Sequence, residues 1–151
     1  MKDLRKIFKN FALVLSIICL VACSVGSKKT FIKEENGKKE TMVVEYKGED
    51  VKTVTMKMSE DFESLGVKTK AEAEAFVPMV EAMVKQLGDG ITVKTNVSEK
   101  DVEITFTIDV AKVDPSKFKD GSFIEAKDVE EMKKMATLEK SLTEQGYKES
   151  K

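Results

Sequence analysis

The side chains in this chain best suited to catalysis are carboxylates. Two acidic residues in an apolar cleft serve general acid and base chemistry. The candidates form two groups, which are Glu60, Asp61 and Glu63, and Asp109, Asp114 and Asp120. No pair can be placed in an apolar cleft from the sequence, and residues 114–125 lack most ligand positions and the glycine of a calcium loop. We expect solvated loop carboxylates, with no catalytic residue and no metal site.

Two residue types on which much enzyme chemistry depends are almost missing. There is no histidine, and the one arginine is Arg5. Histidine is the commonest general base and metal ligand, so Ser-His-Asp hydrolysis and histidine-based zinc sites are excluded. Arginine is the residue that binds phosphate and carboxylate through two parallel hydrogen bonds. We predict that the protein is not an enzyme and has no cofactor-binding residues.

Methionine is the next candidate, because thioether sulfur is a soft ligand for Cu(I). Seven methionines follow residue 22. Their spacing places most of them on apolar faces of predicted strands and helices, where methionine commonly fills gaps in a core. We favour the core interpretation. A methionine-lined pocket for an apolar ligand, sharing residues with the core, is the alternative.

The two cysteines, Cys19 and Cys23, lie in a distinctive N-terminal segment. Residues 1–10 carry four basic side chains and one acidic one, and residues 11–22 are almost wholly apolar. The apolar run is too short to span a bilayer, which takes about 20 residues, and the pattern is typical of a signal peptide. The run ends in LVAC at residues 20–23, which resembles the lipobox of bacterial lipoproteins.

The lipobox resemblance implies cleavage before Cys23 and attachment of lipid to its sulfur. Residues 1–22 are then a lipoprotein signal peptide, residues 23–29 a lipidated cysteine with a flexible tether, and residues 30–151 a single globular domain. Several acyl chains hold a protein firmly, because each buried methylene contributes about 0.8 kcal/mol. We expect a lipid-anchored protein of the cell membrane or cell envelope that faces outside the cytoplasm.

The charge balance of the expected mature chain limits its partners. After residue 22 there are 22 lysines and 26 acidic residues, which gives a net charge of about −4. A negative chain does not favour the phosphate backbone of nucleic acid. The expected partners are the membrane, through the lipid anchor, and a protein or small molecule that the sequence does not identify.

Alternating apolar and polar residues predict the strands. Three runs in the first part of the chain cover residues 30–34, 41–47 and 51–59. The first two flank Asn36-Gly37, a dipeptide typical of two-residue hairpin turns. Two further strands are predicted at residues 91–97 and 102–110, joined closely enough for a hairpin. In the last four strands the alternating apolar residues are predicted to share one buried face, because side chains alternate with period two.

Two stretches have the period of amphipathic helices. The first begins with Thr69 and Glu72, spaced as a capping box, and ends at Gly88. Its predicted buried face comprises Ala73, Phe76, Val80, Met83 and Leu87. The second runs from about Asp128 to Gly146. The order βββαββα predicts an α+β fold, with a mainly antiparallel sheet of about five strands and two helices packed on one face.

Short motifs extend from the N-terminal cysteine to the end of the chain. Besides the lipobox they are VEYKG at residues 44–48, Leu65-Gly66 with Thr69-Lys70, and QGYKE at residues 145–149. With these motifs the chain resembles the YehR-like family of small bacterial lipoproteins. The resemblance implies an α+β extracytoplasmic domain with a lipid anchor and no established biochemical activity. Cys23 is the one functional residue that it transfers.

We predict a non-catalytic binding or interaction domain that is held to a membrane by lipid. The alternative is a carrier or sensor of a small apolar ligand in a groove between sheet and helices. That groove is expected to be lined by Met79, Met83, Phe106 and Met135. A carboxylate enzyme is the third interpretation, and the absence of a clear acid pair argues against it.

Overall fold

An antiparallel sheet forms the framework of the protein. The computed structural model describes residues 26–35, 38–118 and 126–150. The strands in these ranges are β1 (Ser27–Glu35), β2 (Lys38–Lys47), β3 (Asp50–Asp61), β4 (Ile91–Val97), β5 (Asp101–Asp109) and β6 (Lys148–Ser150). They lie in the order β4-β5-β3-β2-β1-β6, and each neighbouring pair is antiparallel. The predicted α+β class with an antiparallel sheet is confirmed.

The helices of the described ranges cover this sheet. They are α1 (Lys70–Gln86), α2 (Ala126–Met132) and α3 (Met135–Glu144). Thr69 caps α1 as predicted, because its Oγ1 accepts a hydrogen bond of 3.3 Å from the backbone N–H of Glu72. No helix in the described part of the chain is both long and apolar enough to cross a membrane.

One core joins the inner face of the sheet to all three helices. Inward-facing strand residues form a cluster with Val84 of α1, Val129 of α2 and Leu138 of α3. The outer face of the sheet is richer in polar side chains, such as Thr55 and Thr107, which pair directly across β3 and β5. The helices therefore leave one face of the sheet open to solvent.

The hairpin registers agree with the predicted turns. Glu35 pairs with Lys38, so two residues connect β1 and β2, although the predicted Asn36-Gly37 turn itself lies outside the described residues. Between β4 and β5, the backbone N–H of Ser98 donates to the carbonyl of Asp101 at 2.9 Å. Strand β1 begins at Ser27, three residues before the expected domain boundary.

The C-terminal part of the chain differs from the prediction. The single helix expected there is divided between α2 and α3, because its backbone bonds to the turn between β2 and β3. The N–H of Val51 donates to the carbonyl of Lys133 at 3.1 Å, and the N–H of Met135 donates to the carbonyl of Glu49 at 2.9 Å. The Lys133 carbonyl and the Met135 N–H therefore do not form the hydrogen bonds of one continuous helix. The chain end then pairs with β1 as a sixth strand, where about five were expected.

Helix α1 buries only part of the predicted face. Ala73 and Val84 are buried, whereas Phe76 and Met83 are exposed. The helix packs beside β4, at the edge of the sheet. Small and β-branched side chains permit close approach there, so they face the strand and the bulkier residues face solvent. The prediction was wrong at Phe76 and Met83.

Candidate functional site

A groove lies between the inner face of the sheet and helices α2 and α3. Its volume is about 290 Å³. Its apolar lining consists of Met42, Val54, Met56, Met58, Ile108, Met132, Leu138 and Leu142. Its polar lining consists of Lys33, Glu40, Asp128, Glu131, Ser141, Gln145 and Tyr147. Largely apolar walls with a few polar groups are typical of sites for small molecules.

Strand register builds the floor of the groove. Met42 of β2 pairs directly with Met56 of β3. Such directly opposed residues have Cβ atoms about 4.5–5.5 Å apart. Met58 lies two residues farther along β3 and therefore shares the same face. Met132, the last residue of α2, contributes from the helical side.

The turn after α3 places a tyrosine at the groove. The N–H of Gly146 donates to the carbonyl of Thr143 at 3.1 Å, and that of Tyr147 donates to the carbonyl of Leu142 at 2.9 Å. This pair of bonds is a Schellman motif, which needs a left-handed residue, and Gly146 has φ of 91°. The tyrosine is turned back beneath the helix, where its hydroxyl donates to the Glu40 carboxylate at 2.5 Å.

The hydrogen bond between Tyr147 and Glu40 is partly buried. Tyr147 is only 7% exposed. Burial raises the pKa of its phenol above the ordinary value, and the Glu40 carboxylate raises it further, because both disfavour a phenolate. The Lys33 Nζ atom lies 5.9 Å from the centre of the tyrosine ring and also contacts the Glu35 carboxylate at 3.0 Å.

Tyr147→Phe is expected to lower the free energy of unfolding by about 1–2 kcal/mol at pH 7, because it removes a hydrogen bond to a charged acceptor. The raised pKa means that this contribution is complete below pH 10 and declines as the pH rises further. Urea unfolding from pH 7 to 11 measures it, with Tyr46→Phe, outside the groove, as the control. A difference between wild type and Tyr147→Phe that does not decline above about pH 10 contradicts the assignment.

The first group of predicted carboxylates lies around a turn and outside the groove. Glu60 pairs with Lys38, and Asp61 accepts a hydrogen bond of 2.7 Å from the backbone N–H of Ser64. Hydrogen bonds from Ser64 lower the pKa of Asp61. Glu63 is exposed. These residues stabilise the end of β3 and the turn that follows.

The second group is also occupied by local structure. The Lys112 ammonium lies 2.7 Å from the Asp109 carboxylate and lowers its pKa. Asp114 begins the 3₁₀ turn Pro115–Lys117 and accepts two hydrogen bonds from Ser116, which lower its pKa. Asp120 lies outside the described residues. In the ranges that the structure describes, no three His, Cys, Asp or Glu side chains converge on a metal position.

The structure does not bring together the four residues predicted to line a groove. Met79 and Met83 are 52% and 60% exposed on α1, and Met135 is buried in the core. Phe106 packs against the core from β5. The groove lies instead over β2, β3 and β5. Alternation along the strands signals three of its methionines, but nothing in the sequence places Met132 above them.

The groove lies within the part of the chain that known relatives share. The family described as "Protein of unknown function (DUF1307)" matches residues 27–148. The chain belongs to this family. The match runs from the start of β1 into β6 and includes the whole lining of the groove. No match was found among curated proteins.

Two solved structures have a similar fold. The NMR structure of the E. coli YehR protein has a TM-score of 0.69 and 26% sequence identity, and the match covers 83% of this chain and 91% of that one. The predicted similarity to the YehR-like family is thus confirmed. An NMR structure of a protein from Streptococcus pneumoniae TIGR4 has a TM-score of 0.54 and 13% identity, covering 82% and 84% of the two chains. At that identity the likeness concerns the fold alone.

Proposed function

We propose that this protein is a non-catalytic, lipid-anchored binding protein of the cell envelope that holds a small apolar ligand in the groove. The observation that carries the proposal is a cavity of about 290 Å³ with eight apolar side chains in its lining. A groove with mainly apolar walls and a few polar groups is the usual form of a small-molecule site. The chemistry of this lining therefore supports a binding site.

The volume sets the size of the ligand. An apolar cavity of about 150 Å³ accepts a benzene molecule. The present cavity has roughly twice that volume, which suits a bicyclic molecule or a short acyl chain. Three carboxylates and one ammonium group lie in the lining, at Glu40, Asp128, Glu131 and Lys33, so the local charge is negative. Neutral or cationic ligands therefore fit better than anions.

The proposal of a non-catalytic role rests on residue chemistry. The chain has no histidine to act as a base near neutral pH. Glu40 is hydrogen-bonded to Tyr147, a phenol that resists ionisation. This pairing positions the tyrosine at the groove and offers no strong nucleophile.

The proposed anchor rests on the N-terminal sequence. Cys23 and the predicted signal peptide lie outside the described residues, and the short apolar run followed by LVAC at residues 20–23 supports lipidation. All the strands and helices described above, and the core that joins them, lie within residues 26–150. The YehR structure corresponds to 83% of the chain. We therefore expect residues 24–151 to fold without the anchor.

The groove is tested with the neutral fluorescent probe N-phenyl-1-naphthylamine on residues 24–151. Ser141→Phe fills the groove from α3 and is expected to weaken probe binding about tenfold or more, the equivalent of 1.4 kcal/mol. Lys140→Phe is the matched control, because the Lys140 side chain is 79% exposed and outside the groove. Its affinity is expected to equal that of the wild type.

A second variant helps to distinguish blocking of the groove from misfolding as the cause of weaker probe binding. Gln145→Trp narrows the groove from an exposed position at the end of α3 and is expected to weaken probe binding as well. Circular dichroism establishes that each variant is folded. Unchanged probe affinity in folded Ser141→Phe and Gln145→Trp would refute the groove as the binding site.

A further inference from the structure

The groove concentrates thioether sulfur. Met42, Met56, Met58 and Met132 all line it, and the first two are directly paired across neighbouring strands. A methionine side chain has three rotatable bonds. The four residues therefore present their thioethers to the same groove.

A soft metal ion matches this set of ligands. Thioethers favour Cu(I) over hard cations such as Mg²⁺ and Ca²⁺, which favour oxygen. A thioether carries no proton to displace, so a cation binds without the deprotonation that cysteine requires. Glu40 and Glu131 in the lining add negative potential, which attracts a cation towards the sulfur atoms.

We propose that Met42, Met56, Met58 and Met132 form a binding site for one soft monovalent metal ion, of the class of Cu(I) and Ag(I). The proposal goes beyond the binding of an apolar molecule, because it concerns an inorganic ligand and depends on sulfur. Leucine has nearly the same volume and apolar character as methionine but no sulfur. Methionine-to-leucine variants therefore separate the two properties of the groove.

The test is a calorimetric titration of residues 24–151 with Ag(I) alone, in chloride-free buffer. The wild type is expected to bind one ion in the groove. The double variant Met42→Leu/Met56→Leu is expected to lose about tenfold or more in affinity for Ag(I) and to keep its affinity for N-phenyl-1-naphthylamine. Loss of Ag(I) binding with probe binding retained supports the metal site independently of the proposed function.

The chain offers a matched control. Met79 and Met83 lie one turn apart on α1 and are exposed, so Met79→Leu/Met83→Leu makes the same two changes outside the groove. This variant is expected to bind Ag(I) as the wild type does. Equal affinity in the groove variant and wild type, or loss of binding in the α1 variant, overturns the proposal.

Methionine methyl resonances supply a second measurement. Addition of Ag(I) is expected to shift the ¹³C-methyl signals of Met42, Met56, Met58 and Met132 and to leave those of Met79 and Met83 in place. This readout does not depend on the stability of any variant. Shifts confined to the α1 methionines place the ion on the helix surface and refute the groove site.

Discussion

Replacing Phe31 with alanine is expected to lower the free energy of unfolding by about 3–5 kcal/mol. Phe31 lies in β1, is 1% exposed, and is among the largest fully buried side chains of the core. Its strand joins β2 on one side and β6 on the other, pairing with Met42 and Glu149. The cavity left by alanine therefore opens beneath two strand pairings. Because domains of this size have a total stability of about 5–15 kcal/mol, the loss is a large fraction of the whole.

Urea unfolding of residues 24–151 measures the effect of Phe31→Ala, and the next residue along β1 provides its control. Ile32 points to the other face of the sheet and is only partly buried. Ile32→Ala is expected to cost less than half as much, because less apolar surface is returned to water. Equal losses for the two variants contradict the assignment of the buried face of β1.

The strands were predictable because their signal is local. Met42, Val44, Val54 and Met56 alternate with polar or less buried residues, and the structure places all four on the inner face. The pairing of Glu35 with Lys38 follows from a two-residue loop. Period and turn chemistry act over a few residues, so they are readable without knowledge of the rest of the fold.

Helix α1 shows where local signals are insufficient. Two apolar stripes satisfy the helical period, one through Ala73 and Val84 and another through Phe76 and Met83. The choice between them depends on which stripe fits against β4, a strand that follows in the sequence. The predicted face combines Ala73 with Phe76 and Met83, because the helical period alone accepts all three. Tertiary packing therefore decided the rotation of the helix.

Helices α2 and α3 and strand β6 depend on contacts with distant parts of the chain, which the hydrophobic period of the sequence does not indicate. The break between α2 and α3 is coupled to backbone bonds with the turn after β2, far away in the sequence. Strand β6 consists of Lys148, Glu149 and Ser150, all exposed, so no apolar alternation marks it. The groove shares this dependence, because its helical side is positioned by the same break.

Cys23→Ala is expected to abolish lipid attachment and to release the protein from the membrane fraction. Wild-type protein extracted from membranes is expected to lack residues 1–22 and to carry added acyl mass. One acyl chain gives only marginal membrane affinity, whereas two or three on one residue anchor firmly. Intact mass spectrometry of wild type and variant detects the acyl mass and the missing residues. Fractionation of the cells shows whether each protein is in the membrane fraction.

The second cysteine makes the anchoring experiment specific. Cys19 lies four residues earlier and belongs to the segment expected to be removed, so Cys19→Ala should leave both acylation and fractionation unchanged. An unlipidated wild type, or equal losses from both variants, contradicts the lipobox assignment. Because β1 begins at Ser27, four residues after Cys23, a chain of that length spans at most about 14 Å. Lipidation at Cys23 therefore confines the start of the sheet to the membrane surface, where an apolar ligand partitioning into lipid lies within reach of the domain.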